Sequence, residues 1–104
     1  MIADFPSTKK LMAGMEQSGV DFSKPLKWRF FFYDEERPKL NRLFEELSDD
    51  KYALESIAES REGEWVLEVS KIDTLSAEKL HRLNMMLNDL AEAYDVQLYD
   101  GWDI

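Results

Sequence analysis

The chain offers little for covalent or metal chemistry: one histidine, no cysteine and 22 acids in 104 residues. His81 stands between Leu80 and Arg82, and no serine or cysteine nucleophile pattern accompanies it. A catalytic triad is therefore not indicated, and His81 reads as a solvated surface residue. Without cysteine there is no disulfide, no thiolate catalysis and no Cys-based zinc site. The acids fall in runs at Asp34-Glu35-Glu36, Glu45-Glu46 and Asp49-Asp50. These lack the alternating spacing and central glycine of a calcium loop, so they read as solvated faces or helix-start charges. Asp95, Asp100 and Asp103 would gather around a cation or a basic partner only if the fold converged them; turn chemistry accounts for them otherwise. The expectation is a chain with no catalytic residues, no metal and no cofactor.

Charge narrows the partner. Thirteen bases against 22 acids leave a formal net charge of −9. Such a surface repels phosphate backbones, so direct nucleic-acid binding is disfavoured and a basic protein segment is the better partner. No apolar run approaches the ~20 residues of a membrane helix, and "MIADFPSTKK" does not resemble a secretory leader. The expectation is a cytoplasmic protein that does not enter membranes.

The elements follow from periodicity. "STKKLMAGMEQSGV" reads as a short helix with Leu11, Met12 and Met15 on one face, started at Pro6-Ser7 and stopped at Gly19. "DFSKP" is a connector. "LKWRFFFY", residues 26–33, is a strand with Trp28, Phe30 and Phe32 on one face and Arg29, Phe31 and Tyr33 on the other. A helix over 35–48 carries the stripe Leu40, Leu43, Phe44 and Leu47, with Pro38 in its first turn. "YALESIAES" is a weaker strand, "REG" a turn and "EWVLEVSKI" a good strand. A helix over 76–93 carries Leu80, Leu83, Leu87 and Leu90, continued by Tyr94. "DVQLYDGW" closes as a short strand and turn.

After the first helix the order is β-α-β-β-α-β. A four-stranded antiparallel sheet with two helices on one face satisfies every stripe. Right-handed crossovers place the first and third strands, which are the most apolar, in the centre. The expected class is α+β: a ferredoxin-like sandwich with an extra N-terminal helix, as a single domain over 1–104.

The helix-free face of that sheet would show Phe31, Tyr33, Val66 and Tyr99. Two aromatics on a central strand resemble the stacking platforms of RNA-binding sheets, but Glu68 shares the face and the chain is acidic. The face is either an exposed protein-binding patch or is covered by the N-terminal helix. At the end of the chain, Asp100-Gly101 is expected to turn the backbone after the last strand, so that Trp102 packs back over the sheet end; gripping a partner is the alternative. The candidate protein-binding residues are Phe31, Tyr33, Glu68, Tyr99, Asp100 and Trp102.

"SGVDFSKPLKWRFFFYDEE", "EWVLEVSK" and above all "LNDLAEAYDVQLYDGWDI" resemble the RraB family, the regulators of ribonuclease E activity. The likeness runs from about Leu11 to Trp102. "YDGW" alone is weakly specific; after "LAEAYDV" at the same spacing it is a stronger signal. Well-known members carry a long acidic extension after this motif, where two residues follow here. The resemblance implies a ferredoxin-like fold and a non-catalytic regulator. Such proteins bind the basic, unstructured scaffold region of ribonuclease E, inhibit RNA cleavage and alter degradosome composition. An acidic surface suits an arginine-rich partner. Two other readings stay open: a small ligand-binding or enzymatic α+β domain using the open sheet face, and an immunity-type protein neutralising a basic nuclease.

Overall fold

The computed structural model describes residues 5–104. Helix α1 (Phe5–Gln17) leads to strand β1 (Leu26–Asp34) and helix α2 (Arg37–Asp49). Strands β2 (Ala53–Glu59) and β3 (Trp65–Asp73), helix α3 (Ala77–Ala93) and strand β4 (Leu98–Asp103) follow. The strands form one antiparallel sheet in the order β2-β3-β1-β4. The apolar strands β1 and β3 hold the centre, where both neighbours satisfy their backbones, and the more polar β2 and β4 are the edges. Among the described residues the architecture is α+β, with a four-stranded antiparallel sheet and three helices.

The core lies between one sheet face and α2 and α3. Trp28, Phe30 and Phe32 of β1 and Leu67 and Val69 of β3 are fully buried, against Leu40 and Leu43 of α2 and Leu80 and Leu87 of α3. Each such side chain removed from water contributes on the order of 1.5–3 kcal/mol before entropy is counted. Period-two alternation in the strands and the three-and-four spacing in the helices deliver these residues to one layer.

The helix ends are set by backbone geometry. Pro38 sits in the first turn of α2, where a missing amide costs least. The Ser76 hydroxyl caps α3 by accepting from the Lys79 N–H at 3.2 Å. Both helices end on a non-glycine residue in the left-handed region, Lys51 (φ 69°) and Asp95 (φ 58°). After each, the next N–H reaches back, Tyr52 to the Leu47 carbonyl and Val96 to the Ala91 carbonyl, closing a Schellman-type end.

Three expectations change. In α1 it is Thr8 and Met12 that are buried, while Leu11 is 56 % exposed. The helix packs against α3 instead of crossing the sheet, so it does not cover the helix-free face. In α3 the most buried positions are Leu80, Asn84, Leu87 and Ala91, so the inward stripe includes a polar residue. His81 is half-buried rather than freely solvated: its ring lies 5.6 Å from that of Phe5, where α1 meets α3.

Candidate functional site

The helix-free face is assembled by register. β1 turns Arg29, Phe31 and Tyr33 outward; antiparallel pairing sets Phe31 opposite Glu68 and Tyr33 opposite Val66 on β3. On the other flank Arg29 faces Asp103, Phe31 faces Gly101 and Tyr33 faces Leu98. Phe31 and Tyr33 are half-buried, with ring area left to solvent. Gly101 has no side chain, so the Phe31 ring is not screened by its β4 neighbour.

The face divides electrostatically into two ends. At one end the acids are already matched. The Arg29 guanidinium contacts Asp103 at 3.2 Å and Glu68 at 3.8 Å, and it donates to the Ile104 carbonyl at 3.1 Å. Lys27 pairs with Glu55 at 2.9 Å, and the Ser70 hydroxyl donates to the same carboxylate at 2.7 Å. The Lys27 contact, and then the Ser70 one, hold the Glu55 carboxyl below its ordinary range. At the other end the Tyr33 phenol is pushed up, first by burial and then by Asp100, Glu64 and Glu62. Among the described residues, none of those three carboxylates has a salt-bridge partner. An aromatic floor beside unmatched acids attracts cations, and guanidinium most of all, because it stacks on rings and forks onto carboxylates.

The end of the chain corrects the expected turn. Asp100-Gly101 does not follow the last strand; it lies inside β4. Phe32 pairs with Tyr99 and Phe31 with Gly101, which leaves Asp100 as the extra residue of a β-bulge. Gly101 takes φ 98°, open to glycine at little cost. In a regular strand residues three apart face opposite sides; the bulge puts Tyr99 and Trp102 on the same, helix-covered side. The Tyr99 ring lies 5.0 Å from Phe32, and the Trp102 ring 5.5 Å from Trp28.

The candidates therefore separate. Phe31, Tyr33, Glu68 and Asp100 are brought together on or beside the open face. Tyr99 is not there: it is 1 % exposed, with its hydroxyl bonded to Asn84. Trp102 is half-buried on the core side. Sequence reasoning missed Glu62 and Glu64, which the β2–β3 hairpin swings toward Tyr33, and the clamp on Arg29. Arg29 shares the period-two face with Phe31 and Tyr33, a signal that marks the face but not its partners.

Among the described residues no group of three His, Cys, Asp or Glu is placed to hold a metal ion. A groove of about 790 Å³ opens between α1, the connector and the start of α3, lined by Met12, Phe22 and Leu75 among others. Phe31, Tyr33 and Glu68 take no part in it. No described helix is long and apolar enough to cross a membrane. Residues 6–104 match the family model described as Regulator of ribonuclease activity B. No curated protein matches the chain.

Proposed function

The chain belongs to the family Regulator of ribonuclease activity B, and on that premise we propose that it restrains a ribonuclease by holding a basic segment of it, without catalysis of its own. The segment we propose is the arginine-rich scaffold region of ribonuclease E, and the consequence is slower RNA cleavage in the cytoplasm. The observation that carries this reading is the open sheet face, where Phe31 and Tyr33 lie beside the unmatched Asp100, Glu62 and Glu64. An arginine stacked on such a ring and paired with such carboxylates sheds water at small cost, because guanidinium is weakly hydrated, and gains directional hydrogen bonds. The net charge of −9 adds long-range attraction to a basic segment and keeps RNA itself away. We read the fold as a single ferredoxin-like domain with α1 added; the order β2-β3-β1-β4 and the packing of α2 and α3 on one side support this.

The test is RNA cleavage by full-length ribonuclease E and by a form lacking its scaffold region, each with and without this protein. Slower cleavage by the full-length enzyme alone, relieved by salt, is the expected result. Unchanged cleavage of both forms overturns the reading. Equal inhibition of both forms overturns the choice of segment.

A further inference from the structure

We infer that part of the basic segment binds as a fifth strand alongside β2, next to the hairpin whose Glu62 and Glu64 flank Tyr33, an inference that rests on the function proposed above and adds a second docking surface for the same partner.

The β2–β3 hairpin fixes which backbone groups of β2 point outward. The Ser60 N–H donates to the Glu64 carbonyl at 2.6 Å, and the Ser60 carbonyl accepts from the Gly63 N–H at 3.1 Å. Both backbone groups of Ser60 are therefore turned inward, toward the arm of the hairpin that returns into β3. In an antiparallel ladder, residues alternate between facing the partner strand and facing away. Counting back, Ala58 and Ser56, opposite Val66 and Glu68, face β3; Glu59 and Ile57, opposite Trp65 and Leu67, turn their N–H and C=O groups outward. The sheet order places no strand there. Two donor–acceptor sets, spaced two residues apart on one edge, are what an added strand pairs with.

β4 is the poorer edge. Its bulge at Asp100 leaves only short regular runs on either side. β2 is also bulged, between Leu54 and Ser56, but then runs regularly to Glu59. Leu54, 48 % exposed, and the half-buried Ile57 offer apolar contact at the same edge.

Charge selects the occupant. The stretch "ESIAESREGE", residues 55–64, carries Glu55, Glu59, Glu62 and Glu64 against Arg61 alone. Only Glu55 among these acids is neutralised by a salt bridge within the described residues, to Lys27. A second copy's β2 would bring the same acidic stretch against this one, which is repulsive. An extended segment rich in arginine or lysine meets attraction along the whole edge.

The experiment uses the full chain and a short synthetic peptide alternating arginine and valine, followed by calorimetry and by amide hydrogen exchange. Peptide binding is expected to slow exchange at the Ile57 and Glu59 amides of the unmodified protein. Glu59→Gln, which keeps the N–H, is expected to weaken binding about twofold. Glu59→Pro, which removes it, is expected to weaken binding about tenfold. The exchange measurement decides the matter even if the proline variant fails to fold. Binding with unchanged exchange at these amides, or equal loss in the two variants, overturns strand addition and leaves the proposed partner standing. Self-association of the unmodified chain that Glu59→Pro abolishes assigns the edge to a second copy and overturns the inference. An unmodified chain that binds no basic peptide overturns both the inference and the partner.

Discussion

The Tyr99 phenol donates a 2.5 Å hydrogen bond to the Asn84 side-chain oxygen, joining β4 to α3 inside the core. Asn84 is 1 % exposed, so the bond is shielded from bulk solvent. Tyr99→Phe strands that oxygen, and the expected loss is about 1–3 kcal/mol, read as a lower urea midpoint. Tyr99→Phe combined with Asn84→Leu should cost less than the sum of the single changes, because both partners then leave together. Strict additivity would show that the bond contributes nothing specific.

Tyr52 gives the opposite case. Its hydroxyl is buried without a hydrogen-bond partner among the described residues, and its ring packs edge-on against Phe30 with Lys71 over it. Tyr52→Phe keeps the ring contacts and removes the unpaired oxygen, so stability should hold or rise by up to about 1 kcal/mol.

The same phenol makes stability pH-dependent. Burial, with Asp50 and Asp73 adding repulsion, pushes Tyr52 up to about 12 from 10.0. The folded state therefore holds its proton more tightly than the unfolded chain. That contribution is complete below pH 10 and is lost as the pH rises from 10 through 12. Burial raises Tyr99 as well, in the same direction. Unfolding free energy measured by urea titration should fall across this window, and less steeply in Tyr52→Phe. A flat profile would contradict the burial of both phenols.

Asp34 is a buried carboxylate that ties two connections together. It accepts from the Glu36 N–H at 2.7 Å and from the Gln97 N–H at 2.9 Å, joining the entry to α2 to the entry to β4. Asp34→Ala leaves both donors without their acceptor and should cost about 3 kcal/mol in thermal or urea unfolding. A change below about 0.5 kcal/mol would mean that water replaces the carboxylate.

Trp102→Ala should lower the melting temperature, with a loss of about 2 kcal/mol, since a half-buried ring packed on Trp28 is removed. Glu64→Lys with Asp100→Lys should do the reverse: Asp100 is exposed and Glu64 half-buried, neither belongs to the core, and both lie near Tyr33, so the melting temperature should move little while capture of a basic peptide weakens about tenfold. If the two variants exchange these phenotypes, Trp102 is the contact residue and the Tyr33 end of the face is not.

What the sequence determined by itself is what local periodicity can encode. The aromatic alternation from Trp28 to Tyr33 marked a central strand and divided its residues between two faces. Leucines three and four apart marked α2 and α3, and the composition of β2 and β4 marked the edges. Each of these depends on residues within one turn or one pleat of each other. The tertiary structure decided the rest, because it depends on register between distant strands. Arg29 meets Asp103 across 74 positions, and no local pattern states that pairing. The bulge at Asp100 appears only when β4 is laid against β1, and it alone carries Tyr99 into the core and keeps Trp102 on the same side. The helix ends at Lys51 and Asp95 carry no glycine signal; backbone hydrogen bonds to the preceding turn set them. Asn84 sits in the core for the same reason: its partner Tyr99 comes from another element, and burial of a polar group is stable only once that partner is in place.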